Sequence, residues 1–87
     1  MKSFEQLWEE LSQKIEIKDP NSATVKAIEA GIHSIGKKVL EEAGEVWLAA
    51  EHQSDKELAI EISQLLYQVQ VIALARGIKL QDIYKEL

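Results

Sequence analysis

The chain has 87 residues, with ten Lys and Arg against 15 Asp and Glu for a formal net charge of −5, a balance that argues against a nucleic-acid-binding surface. It has no cysteine and only two histidines, His33 and His52, which excludes disulfides and thiolate sites and leaves too few ligands for zinc, so any metal must be held by oxygen. One domain of this size (1–87) buries a modest share of its surface by itself, so oligomerisation is expected; no apolar run of about 18 residues and no signal-peptide pattern is present, so no membrane is expected and the cytoplasm is the default compartment.

The signals are helical throughout. Ser3 with Gln6 reads as a capping box, and Phe4, Leu7, Trp8, Leu11 and Ile15 follow at helical spacing, predicting a first helix from Phe4 to Ile17. Asp19, Pro20 and Asn21 end it. Ser22 or Thr24 caps a short second helix, Val25 to Ala30, which Gly31 ends or bends. A third helix is predicted over Ile32 to His52, with Ile32, Ile35, Val39, Ala43, Val46 and Ala50 as its core stripe, and with Gly36 and Gly44 allowing a neighbouring helix to come close. Ser54 and Glu57 form a second capping box, so a turn of one or two residues leads into a fourth helix, Asp55 to Arg76, and fixes an antiparallel hairpin. Gly77 takes the C′ position, and Leu80 to Leu87 is a last short helix. The fold class is therefore all-α.

The fourth helix is apolar nearly all round. Leu58, Ile62, Leu65, Val69 and Ile72 cover one side, and Ile60, Tyr67, Val71 and Leu74 another. Between them runs a narrow polar stripe of Glu57, Glu61, Gln64 and Gln68, and Ser63 and Gln70 form a weaker patch. A helix covered on most sides that keeps acids and amides in line either satisfies a partner across a groove or lines a cavity. It also exposes more apolar surface than one hairpin partner can cover, which predicts a homodimer with a four-helix core.

The third helix supplies the opposing acids. Glu42 and Glu45 lie eleven and eight residues before Gln53, and Glu61 and Gln64 lie eight and eleven after it. At about 1.5 Å rise per residue, the hairpin brings Glu45 level with Glu61 and Glu42 level with Gln64. Three carboxylates and an amide then converge, and Mg²⁺ is the usual cation to neutralise such a set. Other readings stand beside this one. Acids at i, i+3 such as Glu41, Glu42 and Glu45 are most often a solvated face, and Glu61 can be paired with Lys37 or Lys38 for purely structural reasons. Trp47 and Tyr67 read as core or dimer-interface residues, and the two histidines carry no role.

Two blocks in order, KK-x-x-EEA-x-E at Lys37, Lys38, Glu41, Glu42, Ala43 and Glu45, and E-x-x-Q-LLY at Glu61, Gln64, Leu65, Leu66 and Tyr67, are preceded by Ser22, Thr24 and Gly31 and closed by Ala75-Arg76-Gly77. In these blocks the chain resembles the phosphoribosyl-ATP pyrophosphatase family, within the wider all-α nucleoside triphosphate pyrophosphatases. The resemblance implies a hydrolase of histidine biosynthesis that converts phosphoribosyl-ATP to phosphoribosyl-AMP and pyrophosphate with Mg²⁺, or Mn²⁺ in its place. It also implies a dimer or dimer of dimers with sites near the chain interface. Carried over, Glu42, Glu45 and Glu61 are metal ligands, Glu41 is a further ligand or orients the site, and one glutamate is the base. Lys37 or Lys38 holds the outgoing pyrophosphate. Gln64 departs from the family's usual aspartate: its carbonyl oxygen can ligate a metal, but it cannot act as a base. Two rival readings are a pyrophosphatase for another noncanonical or deoxy-nucleoside triphosphate, and a helical interaction module whose acidic stripe meets a basic partner.

Overall fold

A computed structural model describes all residues, Met1–Leu87, and is helical apart from its turns. Helix α1 spans Phe4–Glu16, α2 Ala23–Ala30, α3 Ile32–His52, α4 Asp55–Ala75 and α5 Leu80–Tyr84. The α1 box forms as the sequence predicts: the Ser3 hydroxyl accepts from the Gln6 amide at 3.1 Å, and the Gln6 side chain accepts from the Ser3 amide at 2.8 Å. Ser22 caps α2 by accepting from the Val25 amide, and starts that helix two residues earlier than its apolar pattern indicates.

At the hairpin the cap differs from expectation. Ser54 accepts from the Glu57 amide, but Glu57 takes the Ser54 hydroxyl proton rather than the Ser54 backbone N–H, so the box is only half made. The turn stays short because Gln53 is extended and α4 begins at Asp55. Gly77, at φ 75°, ends α4 as expected, and α5 stops at Tyr84 instead of reaching Leu87.

The long α3–α4 hairpin is the frame, and α1 and α2 close over its end far from the turn. There Leu11, Ile35 and Val71 form the fully buried centre, with Leu7, Ala27, Ile28, Tyr67, Ile72 and Leu74 packed around it. The inner face of α3 is rotated from the predicted stripe. Ile35 and Ala49 are buried and Val39 and Val46 half-buried, whereas Ile32, Ala43 and Ala50 are exposed. A Cβ on Gly36 or Gly44 would meet nothing within 4 Å, so within one chain neither glycine admits a close helix.

On α4, Gln70 is completely buried rather than part of a surface patch. Its amide nitrogen donates to the Phe4 carbonyl at 2.9 Å and ties the first turn of α1 down onto the hairpin. By length and composition α4 could cross a membrane. Glu61, Gln64, Gln68 and Gln70 along its length, with α3 packed beside it, are instead what a core helix carries when one face is left for another surface to cover.

Candidate active site

The spacing of half-buried and buried positions on α3, namely Ile35, Val39, Glu42, Val46 and Ala49, is the seam of a helical hairpin with a glutamate at its centre. On α4 the matching positions are Leu58, Glu61, Leu65, Gln68 and Ile72, all half-buried. A glutamate therefore stands at a core position on each helix. One oxygen from each of Glu42, Glu45 and Glu61 lies within 4.8 Å of the other two. Glu45, one turn along α3 from Glu42, reaches the group from the exposed flank.

Two oxygens of this cluster, Glu42 Oε2 and Glu61 Oε2, are sealed from solvent and have no hydrogen-bond partner, although the remainder of each side chain is partly accessible. The electrostatics agree with the geometry. Burial first, then the charge of Glu45 and a proton shared with it, hold the Glu42 carboxyl above the ordinary carboxylate range, against a smaller opposing pull from Lys38. For Glu61 the shared hydrogen bond with Glu45 comes first, then burial, then the charges of Glu45 and Glu42. Like charges this close, with orphaned buried oxygens, leave the cluster short of positive charge. An oxygen-ligated divalent cation fits the chemistry of the donor set.

The other predicted residues take different positions. Glu41 is exposed and pairs with Lys38 at 3.7 Å on the outside of α3. Gln64 is exposed and makes no side-chain hydrogen bond to the three glutamates. Lys37 is exposed and unpaired, and Lys38 borders a cleft.

Two concavities flank the cluster along the hairpin. Toward the turn, Glu45, Leu48, Gln53 and Glu61 line a pocket of about 280 Å³. Away from the turn, α2, α3 and α4 enclose one of about 370 Å³, lined among others by Lys26, Ser34, Lys38, Tyr67 and Gln68. Its wall is fixed by a 2.6 Å hydrogen bond between the Thr24 hydroxyl on α2 and the Tyr67 hydroxyl on α4. Sequence reasoning missed Lys26, Ser34 and the Thr24–Tyr67 bond. Only the capping signal at Thr24 hinted that α2 matters.

Fold and cluster together define an all-α protein with an oxygen-only acidic site in a helical hairpin. Residues 2–87 match the phosphoribosyl-ATP pyrophosphohydrolase family, and the chain belongs to it. This is a family of histidine biosynthesis that acts on phosphoribosyl-ATP and generally uses a divalent metal.

Proposed function

We propose that the chain hydrolyses the α–β phosphoanhydride of 1-(5-phosphoribosyl)-ATP to phosphoribosyl-AMP and pyrophosphate, the second step of histidine biosynthesis, with Mg²⁺ held by Glu42, Glu45 and Glu61. The observation that carries this is the pair of sealed, partnerless oxygens on Glu42 and Glu61, which bare burial would make costly and a cation would satisfy. A bound Mg²⁺ supplies neutralisation of the polyphosphate oxygens and a water of lowered pKa. The chain's own residues do the rest. One glutamate of the group Glu41, Glu42, Glu45 and Glu61 accepts the proton of the attacking water. Gln64 contributes at most a neutral carbonyl oxygen. Lys38, one turn before Glu42, or Lys37 beside it, holds the departing pyrophosphate as a point charge.

We further propose a cytoplasmic homodimer, or a dimer of dimers, whose hairpins pack as a four-helix core. The chain exposes 6422 Å², against about 5,200 Å² expected of a folded monomer of this mass. The excess of about 1,200 Å² is on the scale that one partner buries in a stable interface. Leu40, Trp47 and Leu48 on α3 and Ile62, Leu66 and Val69 on α4 account for much of the apolar part, being 75%, 68%, 56%, 40%, 43% and 37% exposed. Light scattering on a gel-filtration peak tests the dimer: an active species of one chain mass, 9.8 kDa, would exclude it.

The activity is tested by pyrophosphate release from phosphoribosyl-ATP, ATP, dUTP and dCTP. Turnover is expected with phosphoribosyl-ATP alone, and only with Mg²⁺ or Mn²⁺ present. Undiminished turnover in excess EDTA, or preference for a deoxynucleotide, would overturn it.

A further inference from the structure

The acidic cluster meets one end of a substrate that carries anionic groups at both ends. The triphosphate needs the cations that the glutamates hold, but the phosphate on the second ribose lies at the opposite end of the molecule and must be neutralised by the protein itself. The cleft between α2, α3 and α4 has the required chemistry, with the ammonium of Lys26, the neutral hydrogen-bonding side chains of Ser34 and Gln68, and Lys38 at the edge nearer the glutamates. At about 370 Å³ it falls at the lower end of the roughly 300–1,000 Å³ typical of small-molecule sites. Lys26 is exposed and forms no ion pair, so its charge is available to a ligand. No carboxylate lines this cleft, in contrast to the pocket on the other side of the cluster.

Distance decides which phosphate the cleft can serve. Ser34 lies eight residues before Glu42, and Gln68 seven after Glu61, so the far part of the cleft is displaced about 10–12 Å along the hairpin from the metal-binding acids, while Lys38 at its near edge is about 6 Å from Glu42. That far part is beyond the β- and γ-phosphates, which follow the α-phosphate through one and two bridging oxygens. It suits a group separated from the reacting phosphorus by a nucleoside. Lys38, only one turn from Glu42, stands between the two.

We propose that this cleft is the phosphoribosyl subsite, with Lys26 as the cation for the 5-phosphate and Ser34 and Gln68 as partners for phosphate and ribose oxygens. The proposal rests on the phosphoribosyl-ATP reading above, and it makes Lys26 a determinant of why ATP, which lacks the second sugar phosphate, is left alone.

The test has two arms on the full chain. In the first, ribose 5-phosphate is titrated into metal-free protein and followed by amide NMR. Saturable shifts are expected at Lys26, Ser34 and Gln68, abolished by Lys26→Glu, whereas tripolyphosphate without metal should not produce the same pattern. In the second, Lys26→Glu should raise KM for phosphoribosyl-ATP more than tenfold, leave kcat within about twofold and leave Tm nearly unchanged, since the Lys26 side chain makes no hydrogen bond or ion pair in the fold. Unchanged KM, ribose 5-phosphate shifts elsewhere, or tripolyphosphate binding equally dependent on Lys26 would each overturn the subsite. Ribose 5-phosphate shifts at the cleft in a protein that fails to turn over phosphoribosyl-ATP would remove the assigned activity and keep the cleft as a sugar-phosphate site.

Discussion

The two ends of the α3–α4 hairpin are built from similar sequence and end in different states. Away from the turn, α1 and α2 cover the hairpin, and Ile35, Gln70, Val71 and Ala73 are buried. Toward the turn, Ala49 alone is buried, while Trp47, Leu48, Ile60 and Ile62 lie open. Glu42, Glu45 and Glu61 sit at the border, where cover from the same chain runs out. Carboxylates at that border can be sealed on one side by the hairpin seam while remaining reachable from the other, which is what a site must offer to a hydrated cation and a polyphosphate.

The comparison breaks most sharply at the acids. Glu45→Gln and Glu61→Gln should each lower pyrophosphate release by orders of magnitude while leaving the metal-free fold as stable as before or slightly more so, because one crowded like charge is gone. If Glu61→Gln turns over at a near-normal rate, the ligand assignment fails. The covered end responds in the opposite way. Ile35→Ala should cost about 2–5 kcal/mol of stability in denaturant titrations, while Ile62→Ala, on the open side, should cost far less when measured on dissociated chains. Equal losses at the two positions would show that the two ends are not differently covered.

A smaller effect distinguishes the border by pH. Glu42 and Glu61 hold their protons above the ordinary value of 4.5 in the fold, so between that value and their raised ones the folded chain binds more protons than the unfolded chain. Stability of the metal-free protein should therefore fall as pH rises through this window and level off above it. Glu5 and Glu10, lowered by Tyr84 and Lys2 respectively, contribute in the opposite sense only below 4.5. Millimolar Mg²⁺ should flatten the slope and raise Tm at neutral pH. Thermal melts that are flat across the window without metal would remove the cluster's electrostatic cost. Gln64→Asp is the mildest change: turnover is expected to persist with a lower Mg²⁺ requirement, read from metal titrations of activity.

Much of this was legible in the chain. The α3 bounds, the short turn and the register that pairs Glu45 with Glu61 follow from capping residues and a fixed rise per residue, which are local. What escaped is non-local. Gln70 sits among apolar residues; the Phe4 carbonyl, 66 positions away, satisfies its amide nitrogen, and its Oε1 has no partner. On α4, Ile62 and Val69 have the same helical spacing as Leu58, Leu65 and Ile72, yet they stay exposed with Leu66. Periodicity reports that a face is apolar and is silent about which body covers it. Lys26 gave no signal because its relevance depends on how α2 lies across the hairpin, which the Thr24–Tyr67 bond holds and a joint of one residue permits.

That residue is Gly31, which closes α2 and opens α3 at φ 109° and ψ 165°, a region that L-residues other than glycine scarcely enter. No neighbour would obstruct a Cβ there, so the requirement is one of handedness rather than of space. The joint has the conformation that a mirror-image residue prefers. A chain assembled by chemical synthesis with D-alanine at position 31 should melt higher than the natural protein, through the lower entropy of its unfolded state, whereas L-alanine there should swing α2 off the hairpin and open the lysine cleft.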